Sequence, residues 1–460
     1  MSTAVEIRSP RRRLRVLTDV PGPRSMAVRE RESLYLAPGS QAIASYAGIV
    51  VERGSGSELV DIDGNRFLDL SAAICVASIG YAHPRYQQAL ATQLDAVHVG
   101  SFTTLARVGA LESLTALLPR GLDQVQLFSG GAEAVESAMR LARAYTGKFE
   151  VLSFWGGFHG KTSGALSQMG SEFKRGLGPL APGAYLTPYA DCARCPFKLT
   201  HPSCGLLCVE FARDKLKTET TGSLAAILVE PMQGTAGNVI PPADWLPAIA
   251  QVARDNDALL IADEMITGLG RTGRTFAVDR SNVVPDIMTL GKALGGGYPV
   301  AAVASRQDIV AAEPWSKPSF SSSSYGGNPL ACAAIQASVG IIVDENLPER
   351  ARLLGERFRQ GLSALSERYS SVRNVRGEGL FLGFDLVSGG DASPGGGASS
   401  GERPWTSTEC RALFDALLRR GLLTMAYAPR VRINPPLVIS ADEVEESLAL
   451  FDEALDEVGA

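Results

Sequence analysis

No apolar run in this chain reaches the length of a membrane span, which argues against a helical membrane protein. No charge of one sign dominates either: a net charge of −5 over 460 residues gives no case for binding nucleic acid. The amino terminus lacks an apolar h-region, so no secretory signal is expected and the cytoplasm follows as the default location. No internal repeat recurs, which sets solenoids and propellers aside. Cysteine is limited to 7 residues. Three of them, Cys75, Cys332 and Cys410, are scattered and read as small buried apolar side chains.

What remains is the composition of an ordinary globular protein, 45% hydrophobic and 20% charged. Its length suits one large and one smaller domain. Residues 1–30 are polar and basic, with Arg11, Arg12, Arg13 and Arg15 bunched together, and read as a flexible arm. The expected division is 31–80 for the first part of a small domain, 81–325 for a large domain and 326–460 for the rest of the small one. A Gly/Ser-rich insert occupies 388–401. The other four cysteines, Cys192, Cys195, Cys204 and Cys208, have the spacing C-x2-C-x8-C-x3-C. That pattern suits a closed thiolate zinc site, buried thiols or opportunistic disulfides, and none of these is catalytic. No catalytic metal is expected.

One stretch organises the chain. The apolar run 258–262 ends in Asp263 and Glu264, and reads as a buried parallel strand delivering two carboxylates at its C-terminal end. A second run, 287–290, ends at Gly291 and Lys292, followed by Ala293, Leu294 and three glycines. This does not fit a Walker A loop, because no glycine stands at the required offset and no Ser or Thr follows the lysine. A lysine at one strand end beside an acid at the next is what a pyridoxal phosphate (PLP) site needs. The amine forms a Schiff base with the aldehyde, and the carboxylate keeps the pyridine nitrogen protonated.

Upstream, a short strand 125–128 runs through Ser129, Gly130, Gly131 and Ala132 into a helix beginning near Glu133. Such a turn aims free N–H groups and the positive end of the helix dipole at an anion. Further on, a strand leads into a Gly-rich turn with Phe158, His159 and Gly160. The run 224–230 is another buried strand, and VRINPPL carries Arg432.

Together the segments LLIADEMITGLGRTG and GKALGGGYPVAA resemble the fold-type I, class III (ω-) PLP-dependent aminotransferases, from about residue 30 to the C-terminus. The resemblance implies an α/β architecture: a large domain with a mainly parallel seven-stranded sheet flanked by helices, plus a smaller α+β domain. It implies PLP as cofactor, with Lys292 and Asp263 as the catalytic pair. It places the cofactor phosphate on Gly131 and Ala132, a stacking aromatic at Phe158, and His159 beside it. Ser324 would reach the phosphate of a neighbouring subunit, so a homodimer with shared sites is implied. Ile74 falls on an apolar position lining the substrate entrance, Lys161 follows the His-Gly pair, and Arg432 falls on the carboxylate-binding arginine.

Three positions depart from the best-known members. Lys161 stands where 4-aminobutyrate aminotransferase has an arginine, and Lys offers a point charge rather than a planar fork. Thr235 replaces a glutamate that would pair with the Arg432 equivalent. Ile266 replaces a glutamine and cannot hydrogen-bond the cofactor. The expected partners are a primary amine donor (an ω-amino acid, a diamine or an amino-sugar-like amine) and a 2-oxo acid acceptor such as pyruvate or 2-oxoglutarate. Racemases, epimerases and aminomutases on the same fold are the alternative.

Overall fold

The computed structural model describes residues 15–389 and 402–460. The described residues divide into two compact units, one made of 15–83, 350–389 and 402–460 and the other of 84–349.

The larger unit is built on a seven-stranded sheet. In spatial order its strands are Gln124–Phe128, Ala301–Ser305, Ile287–Leu290, Leu259–Asp263, Leu224–Val229, Glu150–Phe154 and Ala184–Thr187. Ala301–Ser305 runs antiparallel to both its neighbours, and the remaining pairs are parallel, so six strands share one direction. The central strands are apolar at nearly every position because both faces are covered. Leu224–Val229, LAAILV, is buried throughout. The helix Gly131–Thr146 lays Ala134, Val135, Ala138, Met139, Leu141 and Ala142 onto the sheet. With Val151, Leu228, Ile261 and Val303 these form the core.

The other unit carries the sheet Val51–Ser55, Glu58–Asp61, Arg66–Asp69 and Leu422–Leu423. A second sheet contains Val372–Glu378, Phe381–Ser388 and Arg430–Ile433. Ile43, Phe67, Phe414 and Leu418 lie at the centre of one of its cores.

Two expectations need correction. The arm does not extend to residue 30: Arg15 pairs with Glu58 at 2.6 Å and Glu446 at 2.5 Å, leaving its side chain 10% exposed. The helix Pro23–Ser33 follows, its first N–H groups bonded to the Asp63 carboxylate at 2.8 Å. A helix start that satisfies its orphan donors this way is anchored rather than loose. Arg11, Arg12 and Arg13 lie outside the described residues, as does nearly all of the 388–401 insert. The domain boundaries also move, to 83/84 and 349/350. The second shift arises because the small-residue helix Pro329–Asp344 packs on helices Pro84–Ala96 and Leu105–Thr115 of the larger unit. Among the described residues no single helix is long and apolar enough to cross a membrane.

Candidate active site

Six same-direction strands put their C-terminal ends on one edge of the sheet, where the chain turns carry the polar residues. The strand Leu259–Asp263 ends in two acids with different fates. Alternation along a strand sends adjacent side chains opposite ways. Glu264 bonds Thr267 Oγ1 and, at 2.9 Å, the N–H of Val278, which makes it a brace for its own turn. Burial pushes its pKa up to about 7.

Asp263 is held from three directions. Its Oδ1 accepts from the Met265 N–H at 3.1 Å and from Thr289 Oγ1 at 3.2 Å, and its Oδ2 meets His159 Nδ1 at 2.7 Å. The acid and the imidazole are both buried. Burial by itself would lower the His159 pKa, but the hydrogen bond to Asp263 and that carboxylate's charge outweigh it and raise the pKa. The pair therefore favours an imidazolium facing a carboxylate.

Lys292 follows the adjacent strand, Ile287–Leu290, after a single glycine. It takes a left-handed φ of +45°, a conformation rare for a side-chain-bearing residue and concentrated at functional sites. The turn behind it is fixed by Ser338 Oγ on the Ala293 carbonyl at 2.7 Å and Tyr86 Oη on that of Gly295 at 2.5 Å. Met265 ties the neighbouring turns together. A Cβ placed on Gly131 would lie 3.2 Å from its Sδ, and one on Gly291 would lie 2.6 Å away.

The helix Gly131–Thr146 starts with backbone N–H groups that its own ladder does not use. Its first intrahelical bond runs from Ala134 N–H to the Gly130 carbonyl, so the N–H groups of residues 131–133 come before the ladder begins. Ser129 Oγ is buried at this end without a hydrogen-bond partner. The 155–160 turn presses against the same end: a Cβ on Gly160, whose φ is +131°, would sit 2.5 Å from Ala132 Cβ. Phe158 packs edge-on to Phe173 with centroids 5.6 Å apart, and Lys161 Nζ lies 5.2 Å from the Phe173 centroid.

The structure thus brings Asp263 against His159, the His159 turn against Ala132, and Met265 between Gly131 and Gly291. Ser324 is exposed on the turn leading to Asn328. Arg432 and Ile74 belong to the other unit. Arg432 is half-buried on the strand Arg430–Ile433, with Gly383 as its register partner. Ile74 sits in a left-handed turn over residues 72–75, each with φ between 47° and 65°. Such backbone costs about 1–2 kcal/mol per residue. Asp69 holds it by accepting from the Ser71 N–H at 2.7 Å, Ser71 Oγ at 2.6 Å and Tyr81 Oη at 2.5 Å.

Sequence reasoning passed over Thr289, Met265, Ser129 and Glu230. Thr289 had a signal, being the lone polar residue in the buried run IMTL. Glu230 had one too, as the acid closing LAAILV. The four clustered cysteines are free thiols, and among the described residues no group of three or more His, Cys, Asp or Glu side chains is placed to hold a metal ion.

The structure thus places a lysine and a clamped acid on neighbouring strand ends, beside a helix start open to an anion. The class-III aminotransferase family model matches residues 40–455, and the chain belongs to that family. Acetylornithine aminotransferase of Methanothermobacter thermautotrophicus is 34% identical over 414 residues, 89% of this chain and 94% of the relative. Diaminobutyrate–2-oxoglutarate aminotransferase of Rhizobium meliloti is 33% identical over 425 residues, 89% of this chain and 88% of the relative. Among solved structures, a PLP-bound amine transaminase from an uncultivated Pseudomonas species superimposes with a TM-score of 0.83 at 29% identity, covering 92% of this chain and 99% of the other. The ornithine aminotransferase of Toxoplasma gondii gives 0.80 at 28% identity, covering 95% and 96%.

Proposed function

We propose that this aminotransferase moves the amino group of a terminal primary amine to a 2-oxo acid, with Lys292 as its catalytic base and PLP as its cofactor. The observation that carries the reading is the clamped Asp263, paired with His159 and Thr289 on the strand beside the one that leads to Lys292.

The residues present suit PLP. Ser129 Oγ is an orphaned buried hydroxyl at a helix start, where a phosphate would satisfy it. Gly131 and Ala132 offer backbone N–H groups at the same place, and the glycine at 160 leaves room that a side chain would fill. Asp263 Oδ1 is filled by Met265 and Thr289, while Oδ2 has one lone pair beyond the one His159 engages, enough to accept from a ring N–H. When bound, PLP supplies an electron sink for the carbon that carries the amine.

The chain's own residues do the rest. Asp263 keeps its charge against the ring nitrogen, supported by His159. Phe158 offers a face for stacking. Lys292 Nζ would hold the cofactor, and as a free amine it would take the proton from the amine-bearing carbon and return it on the other side of the transfer. Arg432 receives the carboxylate of the 2-oxo acid, a planar fork against a planar anion.

The donor is an ω-amino acid, a diamine or an amino-sugar-like amine, and the acceptor is pyruvate or 2-oxoglutarate. The relatives named for ornithine, acetylornithine and diaminobutyrate support a donor with an amine at the end of a carbon chain. Thr235 and Lys161 argue against 4-aminobutyrate itself, with Lys161 placed over Phe173. The same proposal includes a homodimer in which Ser324 serves the partner's phosphate site, and a cytoplasmic location. The exposed apolar run with Val99, Phe102 and Leu105 supports a partner, since Phe102 is 87% and Leu105 91% exposed.

The test is a half-reaction. PLP-loaded protein is mixed with a panel of amines in the absence of acceptor, and its visible absorption is followed. Loss of the band with one donor class, reversed by one 2-oxo acid, names both substrates. A band that persists while an amino acid's α-hydrogen exchanges with deuterated solvent moves the assignment to a racemase.

A further inference from the structure

Glu230 follows the all-buried strand Leu224–Val229 and is 5% exposed. Its two oxygens serve two different turns. Oε2 accepts the backbone N–H of Phe158 at 3.1 Å, and Oε1 accepts that of Gly234 at 3.4 Å. The first turn carries Phe158 and His159, and the second carries Gly234 and Thr235. Phe158, whose N–H this carboxylate holds, immediately precedes His159, and the charges act on each other: His159 feels the charge of Glu230, and Glu230 feels those of His159 and Asp263. Tyr189 is a further titratable neighbour. Its hydroxyl donates to the carbonyls of Glu230 and Pro231, each at 3.1 Å, and its pKa lies well above 10, so it stays neutral. A buried acid is costly to ionise, and the transfer chemistry described above makes no use of this one.

We propose that Glu230 is a positioning residue. Its one buried carboxylate ties the Phe158 turn to the Gly234 turn and completes an acid–imidazole–acid array, Asp263–His159–Glu230. The proposal rests on the reading of Asp263 as the group that faces the cofactor ring.

The array has a definite electrostatic logic. With both acids ionised, the His159 imidazolium lies in the field of two negative charges, which together with the Asp263 hydrogen bond raise its pKa above the ordinary histidine value. That keeps an N–H of His159 directed at Asp263 Oδ2. Burial, and then the charge of Asp263, push Glu230 up to about 7, while the His159 charge and the two backbone N–H groups pull the other way. The array therefore changes by one charge near neutrality, and it does so at Glu230. Above that point the imidazolium has both supports. Below it, Glu230 takes a proton, and both its hold on the two turns and its support for the imidazolium weaken.

The test uses the full-length protein with selectively 15N-labelled histidine, with and without PLP. There are only 4 histidines to resolve. In the wild type, His159 is expected to titrate above the ordinary histidine value of 6.5. Glu230→Gln should lower its titration by about one unit or more. With PLP bound, the wild-type visible spectrum should show a step near pH 7 that Glu230→Gln removes, and the variant should lose PLP about tenfold faster. Glu230→Asp keeps the charge and loses the reach. It should preserve the His159 titration while amide exchange at residues 158 and 234 accelerates, a split that a merely structural residue would not give.

Identical His159 titration in wild type and Glu230→Gln would overturn the proposal. If the glutamine variant does not fold, the wild type still decides: a His159 that titrates near 6.5, or unprotected amides at 158 and 234, overturns it. Failure of the wild type to bind PLP would sink the cofactor reading instead, and the measurements without PLP would still judge the array.

Discussion

His159 Nδ1 stands 2.7 Å from Asp263 Oδ2, with the two side chains 1% and 2% exposed. Removing one member of a buried pair leaves the other uncompensated, which typically costs about 3–5 kcal/mol. His159→Leu should lose stability on that scale and release PLP faster than wild type. Denaturant unfolding and the rate of cofactor loss on gel filtration measure the two effects. Unchanged values would mean that Asp263 needs no imidazole.

Gly160 brings the His159 turn against the start of the helix Gly131–Thr146. An alanine there would combine a φ of +131° with a Cβ 2.5 Å from Ala132 Cβ. Both strain the turn, so Gly160→Ala should destabilise the protein by roughly 1–3 kcal/mol and weaken PLP binding. Thermal unfolding and a PLP titration check this.

Glu264 gives a pH dependence of stability with a definite sign. Its folded-state pKa is raised to about 7 from 4.5 by burial, ahead of the opposing bonds to Thr267 and Val278. The folded state then binds the proton more tightly than the unfolded one, so this group's contribution falls as pH rises from about 4.5 to 7. Glu264→Gln removes that loss. The stability difference, variant minus wild type, should move in the variant's favour by up to about 3 kcal/mol between pH 5 and pH 8. Urea unfolding at the two pH values reads it directly, and a difference that does not change with pH would contradict the assignment.

Arg432 is the proposed carboxylate receptor. A charge-assisted, bidentate contact is worth about 1.5–3 kcal/mol, so Arg432→Leu should raise KM for the 2-oxo acid by roughly 10- to 100-fold. The visible band of bound PLP should stay in place. Arg432→Lys should recover only part of the loss, because a point charge lacks the fork. Steady-state kinetics with varied acceptor separate the two variants.

Much of this was legible in the chain itself. Mostly apolar runs, one closed by Asp263 and Glu264 and the other leading through Gly291 to Lys292, placed the two strands, because a strand covered on both faces leaves little else polar in the run. The turn Ser129–Gly130–Gly131–Ala132 announced a helix start for the same kind of local reason. What escaped depends on contacts distant in sequence. Nothing near Glu230 says that its oxygens meet Phe158 and Gly234, and nothing near Thr289 says that it faces Asp263. The left-handed turn at residues 72–75 has no glycine to announce it, since Asp69 and Tyr81 hold it from outside. Arg15 looked like part of a loose basic arm because its partners, Glu58 and Glu446, lie 43 and 431 residues away.

The most direct test of the central claim is to locate the cofactor's attachment. PLP-loaded protein is reduced with borohydride, digested and mapped by mass spectrometry. The account predicts one modified peptide, carrying the reduced pyridoxyl phosphate on Lys292, and none from Lys292→Ala. A label on another lysine, or no label on protein that binds PLP, would contradict it.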